Sequence, residues 1–263
     1  MSKTTKPAEL RTREGKHTIK EWWGLSESAE RHNIPIYRHF MAPGDLVFDI
    51  GANRGRKVWI FRQLEARVIA VEPLAKFLHE WIPELYWKFA KDPAVTIIAA
   101  AIDKQQGNIT FWIHKNMPYL SSNNDPWRTK SAHRIFYNDK NSEEVSVPTI
   151  TIDSLVERFG LPVFIKCDVE GNEDRTMITL SRPVRAFNME YHEDWIPFKA
   201  IKHMDRLGKY EWNFSLDQQG VFVLPDWTTS VKMLQYMRAT LTKKGPGSWG
   251  DLYGRLKDHQ WNF

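Results

Sequence analysis

The sequence of 263 residues has 42% hydrophobic and 26% charged residues, which is typical of a soluble globular protein and sufficient for one large α/β domain. Its net charge of +5 comes without any block of like charges that would indicate a nucleic-acid-binding arm, and no apolar stretch approaches the roughly 20 residues that cross a membrane. The N-terminus lacks the apolar segment of a secretory signal, and the single cysteine, Cys167, excludes an internal disulfide. We therefore expect a cytoplasmic protein with no membrane span and no nucleic-acid partner.

The N-terminal region is polar and precedes a strand-to-turn pattern. Residues 1–40 contain helical stretches around 19–24 and 26–40, and we predict that they form a helical cap or lid over the functional site. The apolar run Leu46–Phe48 then predicts a buried parallel strand that ends in Asp49.

The turn after this strand indicates a cofactor site. It contains Gly51 and Gly55, and glycines let the backbone bend tightly and let a ligand approach the main chain. A second apolar run, Val68–Val71, ends in Glu72, where a carboxylate commonly accepts hydrogen bonds from ribose hydroxyls. The sequence therefore predicts a pocket for an adenosine-containing cofactor.

Asn53 bears on which cofactor this is. It stands where the dinucleotide-binding fingerprint G-x-G-x-x-G has its second glycine, and a side chain there crowds a pyrophosphate. S-adenosyl-L-methionine has no phosphate, so Asp49 could attract its ammonium group while backbone amides take its carboxylate. The turn favours this cofactor over a nicotinamide dinucleotide.

Helices and strands alternate along the rest of the chain. We predict helices at Leu74–Trp87 with a break near Pro83, Asp153–Phe159 with Asp153 as its N-cap, Asn172–Leu180 and Trp195–Leu207. We predict strands at Val95–Ile102, Asn108–His114, Val145–Ile152, Val163–Cys167 and Ala186–Met189, and a final hairpin of Tyr210–Leu216 with Val221–Leu224.

Two segments fall outside this alternation. Residues 115–144 are rich in Asn, Ser and Pro, and we interpret them as a substrate-recognition insertion. The tail of residues 241–263 is Gly-rich and then aromatic, and we expect it to dock on the domain or on a second subunit, which makes a homodimer plausible.

This order of elements predicts an α/β fold with a doubly wound, mostly parallel sheet that ends in a C-terminal antiparallel hairpin. Ligands bind such sheets beyond the carboxyl ends of the strands. Carboxylates stand at or just past five predicted strand ends: Asp49, Glu72, Asp103, Asp168 and Glu190. We therefore expect the functional site at this rim.

Four segments, in chain order, carry a family resemblance: VFDIGANRG, VIAVEP, TIDSLVERFGLPVFIKCDVEGNE and MEYH. They resemble the FkbM family of S-adenosylmethionine-dependent methyltransferases, and this similarity runs from position 45 to position 195. The most specific segment is Ile165–Glu173, in which Cys167 replaces the usual aliphatic residue and Asn172 replaces the common histidine. The resemblance implies a Rossmann-like class I methyltransferase domain, here residues 41–240.

The resemblance also implies a reaction, which is methylation of a hydroxyl oxygen on a sugar, a glycan or a hydroxylated secondary metabolite. It assigns cofactor binding to Asp49, Gly51, Asn53, Gly55, Glu72 and Ser121. Ile102 or Asp103 would border the adenine, and Asp168 would lie beside the methionine end and the acceptor.

An alcohol is a poor nucleophile while protonated, so a base near the acceptor oxygen helps the reaction. The candidates are His192 and the carboxylates of Asp168, Glu170 and Glu190. In an extended strand Lys166 and Asp168 face the same side, so Lys166 could pair with Asp168 and keep it ionised. Asp168, Glu190 and His192 could alternatively hold a divalent cation, Mg²⁺ or Mn²⁺, that lowers the pKa of the acceptor.

Three other functions remain compatible with such a fold. They are a nicotinamide-dependent oxidoreductase, a non-catalytic module that binds S-adenosylmethionine, and a nucleic-acid methyltransferase. Asn53 argues against the first, and the intact rim of carboxylates argues against the second. The sequence has no RNA-binding appendage and no Asn-Pro-Pro-Tyr-like motif, which argues against the third.

Overall fold

The computed structural model describes residues 11–12, 15–130, 141–217, 219–244 and 247–259. Its strands are β1 (Leu46–Ile50), β2 (Arg67–Val71), β3 (Val95–Ile98), β4 (Ala101–Ile102), β5 (Gly107–His114), β6 (Ser142–Ile150), β7 (Phe164–Cys167), β8 (Ala186–His192), β9 (Tyr210–Phe214) and β10 (Trp249–Leu256). Its α-helices are α1 (Ile19–Glu30), α2 (Ile34–Arg38), α3 (Arg56–Gln63), α4 (Pro83–Phe89), α5 (Asp125–Lys130), α6 (Ile152–Phe159), α7 (Glu173–Met177), α8 (Phe198–Leu207) and α9 (Ser230–Lys244). Short 3-10 helices lie at Arg31–Asn33, Pro73–Glu80 and Pro118–Leu120.

Seven strands form the main sheet in the order β3-β2-β1-β7-β8-β10-β9. All neighbours from β3 to β8 pair in parallel, and β10 runs antiparallel to both β8 and β9. A second, three-stranded sheet has the order β4-β6-β5. The chain therefore has a doubly wound α/β fold with a mostly parallel sheet, as predicted, and it carries one antiparallel strand, β10, near the edge of that sheet.

Apolar side chains cover both faces of the main sheet, which explains why every residue of β1 is buried. On one face the core includes Trp23, Phe61 and Phe89 from α1, α3 and α4. On the other it includes Leu155 and Met204 from α6 and α8. Because helices close both faces, the free edge for a ligand is the rim where the parallel strands end.

The described part of the predicted cap packs beside α3 and α4. Thr18 begins α1 with a capping box, in which its hydroxyl accepts from the amide of Glu21 and its own amide donates to the Glu21 carboxylate. Trp23 of this helix donates from Nε1 to the backbone oxygen of Glu84, 3.1 Å away. That residues 1–40 act as a lid stays a prediction. Within the described residues, no helix combines the length and apolar character needed to cross a membrane.

Two predicted elements divide where the sequence suggested one. The predicted strand Val95–Ile102 breaks after Ile98, and Ala101–Ile102 joins the second sheet by pairing with β6. The predicted helix Leu74–Trp87, with its break near Pro83, is the 3-10 helix Pro73–Glu80 followed by α4, so the break is present but the first part is not an α-helix. Pro83 begins α4, because proline has no amide to donate and fits the first turn of a helix.

The N-cap of α6 was wrongly predicted. Thr151, not Asp153, caps the helix, through a reciprocal pair of hydrogen bonds with Ser154. The Asp153 carboxylate accepts instead from the amide of Ser181.

The predicted C-terminal hairpin is wrong in its second strand. Residues 221–224 form no strand, and β9 pairs instead with β10. The tail that begins at residue 241 therefore supplies a strand inside the sheet, between β8 and β9. In the insertion of residues 115–144, the described part contains a 3-10 helix, α5 and the start of β6, and residues 131–140 lie outside the described residues.

Candidate active site

A cleft with an empty volume of about 680 Å³ lies at the carboxyl ends of β1, β2 and β7. Its walls come from the loops that follow these strands, from the turn before β4 and from the insertion. Six of the residues that we predict as cofactor contacts line it: Gly51, Asn53, Glu72, Ile102, Ser121 and Asp168.

Gly51 allows the loop after β1 to pack closely against the loop after β7. Its φ of +78° lies in the left-handed region, and a Cβ built on it would stand 1.7 Å from the backbone oxygen of Asp168. Only glycine fits this place. The tight contact joins the floor of the cleft directly to the segment that carries Asp168.

Glu72 ties two loops together at the end of β2. Its carboxylate accepts from the amide of Asn53 at 2.8 Å and from the amide of Leu74 at 2.9 Å. Burial raises the pKa of Glu72 to about 7, although both amide hydrogen bonds lower it. The same carboxyl group thus fixes the shape of the loops and borders the cleft.

Lys166 lies beneath the cleft between two aspartates. Its Nζ is 2.9 Å from Oδ2 of Asp168, 3.3 Å from the backbone oxygen of Gly51 and 3.7 Å from Oδ1 of Asp49. Burial disfavours the charged forms, but the attraction between Lys166 and Asp168 outweighs it, so the pKa of Lys166 is raised and that of Asp168 is lowered. Asp49 is fully buried, and burial raises its pKa despite Lys166. The predicted Lys166–Asp168 pair is therefore present, and it keeps Asp168 ionised.

Glu170, Glu190 and His192 form a second group beside this pair. Each offers one ligand atom, and these three atoms lie within 4.8 Å of one another, with 3.2 Å between Oε2 of Glu190 and Nε2 of His192. Burial raises the pKa values of both glutamates, and neighbouring carboxylates raise them further. Burial lowers the pKa of His192. The set differs from the predicted metal ligands, because Glu170 takes the place of Asp168, whose carboxylate is engaged by Lys166.

The described part of the insertion holds the loop that contains Glu170. Ser122 donates from Oγ to the backbone oxygen of Glu170 at 2.8 Å, and Asn124 donates from Nδ2 to the backbone oxygen of Gly171. The Trp127 ring packs on Gly171, where a Cβ would come within 2.9 Å of it, and its centroid lies 4.5 Å from that of His192. The backbone of Glu170 is held at a φ of +52°, which is uncommon for a residue with a side chain.

Sequence reasoning did not assign roles to Asn124 and Trp127. Residues 124 and 171 are 47 positions apart, and no periodic pattern relates them. The one signal in the sequence is the lack of a regular pattern in residues 115–144, since an irregular segment of this length within a domain is often functional.

Three predicted cofactor residues lie outside the lining of the cleft. Asp49 is buried below it, in register with Lys166 on the neighbouring strand. Gly55 begins α3, and a Cβ there would touch Leu85 and Phe89, so its smallness serves helix packing. Asp103 accepts two hydrogen bonds from the guanidinium of Arg175, at 2.5 and 2.7 Å.

Most of the chain matches the model of one protein family. The family model described as the methyltransferase FkbM domain matches residues 49–241. No curated protein sequence matches the chain.

Similar solved structures include three methyltransferases. A precorrin-6y C5,15-methyltransferase from Geobacter metallireducens GS-15 has 10% identity and a TM-score of 0.42, with 86% of each chain covered. A methyltransferase FkbM from Methylobacillus flagellatus KT has 12% identity and a TM-score of 0.43, with 81% of this chain and 44% of the other covered. A SAM-dependent O-methyltransferase from Thermotoga maritima has 10% identity and a TM-score of 0.41, with 92% and 72% covered.

Proposed function

Because the chain belongs to the FkbM family of S-adenosylmethionine-dependent methyltransferases, we propose that it methylates a hydroxyl oxygen of a sugar, a glycan or a hydroxylated secondary metabolite. One observation carries the proposal. Asp168, kept ionised by Lys166, borders both the cleft and the Glu170–Glu190–His192 group. A carboxylate at such a boundary can hold an acceptor hydroxyl next to a bound methyl donor.

The cleft suits S-adenosylmethionine. Gly51 and Asn53 line the cleft beside Asp168, Glu72 stands where ribose hydroxyls are bound in related folds, and Ile102 supplies an apolar wall for the adenine. Ser121 completes this lining set, while Asp49, Gly55 and Asp103 support its shape from outside. Membership of this family argues against a nicotinamide-dependent oxidoreductase, because the methyltransferase family model spans residues 49–241 and so includes the cleft.

When bound, S-adenosylmethionine supplies an electrophilic methyl group, and its sulfonium becomes a neutral thioether as the carbon–sulfur bond breaks. The residues of this chain must align the acceptor oxygen and take its proton. In this proposal the Asp168 carboxylate takes the proton of the acceptor hydroxyl. Lys166 positions that carboxylate. His192 is the second candidate for the base, because its lowered pKa leaves a neutral imidazole.

The experiment is an assay of S-adenosylhomocysteine release with a panel of sugars and hydroxylated metabolites. We expect Asp168→Asn to lower kcat by about 100-fold or more while the protein still binds S-adenosylhomocysteine. Asp92→Asn is the matched control. Asp92 also forms an ion pair at 2.9 Å, with Arg62, but it is not among the residues that line the cleft. Unchanged turnover in Asp168→Asn would refute the assignment of the base, and the same result in His192→Ala would remove the second candidate.

A further inference from the structure

The group of Glu170, Glu190 and His192 has the composition and spacing of a metal site. We infer that these three side chains bind a divalent cation, with Mn²⁺ as the best match, directly beside Asp168. The presence of the ion does not depend on the proposed function, but its role in methyl transfer does.

The distances fit a first coordination shell. Ligand atoms about 2.1 Å from a metal ion are about 3 Å apart when they occupy adjacent positions. Oε2 of Glu190 and Nε2 of His192 are 3.2 Å apart, and the Glu170 oxygen lies within 4.8 Å of both. A small movement of the Glu170 side chain would therefore close all three ligands on one ion.

The surroundings of Glu190 point independently to a missing positive charge. Glu190 is only 9% exposed, and among the described residues no donor forms a hydrogen bond with its Oε2. The nearby ammonium of Lys166 is engaged by Asp168 and by the backbone of Gly51. A buried carboxylate oxygen without a donor is costly, and a bound cation would remove that cost.

Neighbouring residues restrain two of the ligands. The Trp127 ring lies edge-on to the His192 ring at a centroid distance of 4.5 Å, which limits the orientations of the imidazole. Ser122 fixes the backbone oxygen of Glu170, whose left-handed conformation sets the direction of its side chain. Restraint of this kind from surrounding residues is typical of metal ligands.

Two carboxylates and one imidazole match the preferences of Mn²⁺, which accepts both oxygen and nitrogen ligands. Three protein ligands leave open positions for water or for the acceptor oxygen. A cation there would make the acceptor hydroxyl more acidic.

The test is a titration of the metal-stripped protein with Mn²⁺, in which the electron paramagnetic resonance signal of the free ion reports how much Mn²⁺ remains unbound. We expect about one bound Mn²⁺ per chain, and affinity at least about tenfold weaker in both Glu190→Gln and His192→Asn. Asp226→Asn should bind as the original protein does, because Asp226 is an exposed acid outside the group.

No binding by the original protein, or unchanged binding in both variants, would overturn the inference. Retained binding of S-adenosylhomocysteine shows that a variant is folded, and Glu170→Gln gives a third variant in a loop rather than a strand. Binding of S-adenosylhomocysteine without binding of Mn²⁺ would reject the ion alone. Failure to bind S-adenosylhomocysteine would count against the proposed function and leave the Mn²⁺ result as it stands.

Discussion

Gly51 has no side chain because the backbone of the Asp168 loop occupies that space. Gly44 has a similar φ of +85°, but a Cβ at that position would have no atom within 4 Å, so Gly44 separates backbone strain from the clash. We expect Gly44→Ala to cost about 1 kcal/mol of unfolding free energy and Gly51→Ala about 4 kcal/mol or more. Urea unfolding measures both, and equal costs would contradict the packing described for the cleft.

Glu72 should make stability depend on pH. In the folded protein its pKa of about 7 lies above the ordinary value of 4.5, so between these pH values the folded state holds a proton that the unfolded chain releases. The stabilisation is complete below pH 4.5 and is lost as the pH rises through about 7. The Glu72→Gln variant lacks this pH-dependent contribution. Its free energy of unfolding, relative to that of the original protein, should therefore rise by roughly 3 kcal/mol between pH 4.5 and 8.

Denaturant unfolding of both proteins at several pH values measures this difference. Glu157→Gln is the control, since Glu157 is exposed on α6. Parallel stability curves for Glu72→Gln and the original protein would show that Glu72 is ionised in the folded state.

Individual residues were predictable from sequence where one strand determines their place. Glu72 follows β2 directly, and Lys166 and Asp168 share a side by simple alternation within one extended segment. Asp103 was not predictable in this way, because its partner Arg175 is 72 positions away. Asp49 and Gly55 have the expected positions in the chain, but their burial depends on neighbours that the sequence does not identify.

At the scale of elements, the strand β10 is the clearest example of a feature hidden in the sequence. It is interrupted by Gly250 and Gly254, which disfavour a strand in isolation. Both glycines are required by packing, since a Cβ at Gly250 would lie 2.2 Å from the backbone oxygen of Ser215 and one at Gly254 would lie 2.3 Å from the Phe187 ring. Residues 221–224 mimic a strand, but the Asn213 side chain binds both backbone groups of Leu224.

Deletion of β10 should therefore abolish folding. It forms backbone ladders with both β8 and β9, so removal of residues 248–263 would expose two strand edges in the sheet. We expect an aggregated or unfolded protein by circular dichroism and gel filtration. Deletion of residues 260–263 alone is the control, because it leaves every described residue in place. A soluble, cooperatively folded product of the longer deletion would contradict this arrangement of the sheet.

The insertion segment around Asn124 should couple cofactor binding to the loop of Glu170. Asn124 donates to Gly171 and accepts from the amide of Trp127 at 3.1 Å. We expect Asn124→Ala to lower stability by about 1–2 kcal/mol and to weaken S-adenosylhomocysteine binding by about tenfold. Asn108→Ala, at an exposed position of β5, is the control. Calorimetry of both variants measures the effect, and equal affinities would mean that the segment is not part of the site.

For the whole molecule, the parallel half of the sheet was predictable because its strands are short apolar runs, each bounded by local turn signals. The antiparallel edge was not, since β10 joins β8 after more than fifty intervening residues. The homodimer, the cytoplasmic location and the absence of a nucleic-acid partner stay proposals. Sedimentation of the full chain tests the first of them.

The central claim is that the cleft binds S-adenosylmethionine, and calorimetric titration of the purified protein with S-adenosylhomocysteine tests it most directly, with NAD titrated in parallel. We predict one site for S-adenosylhomocysteine with a Kd on the order of micromolar, and no heat of binding with NAD. Binding of NAD without binding of S-adenosylhomocysteine would contradict this claim.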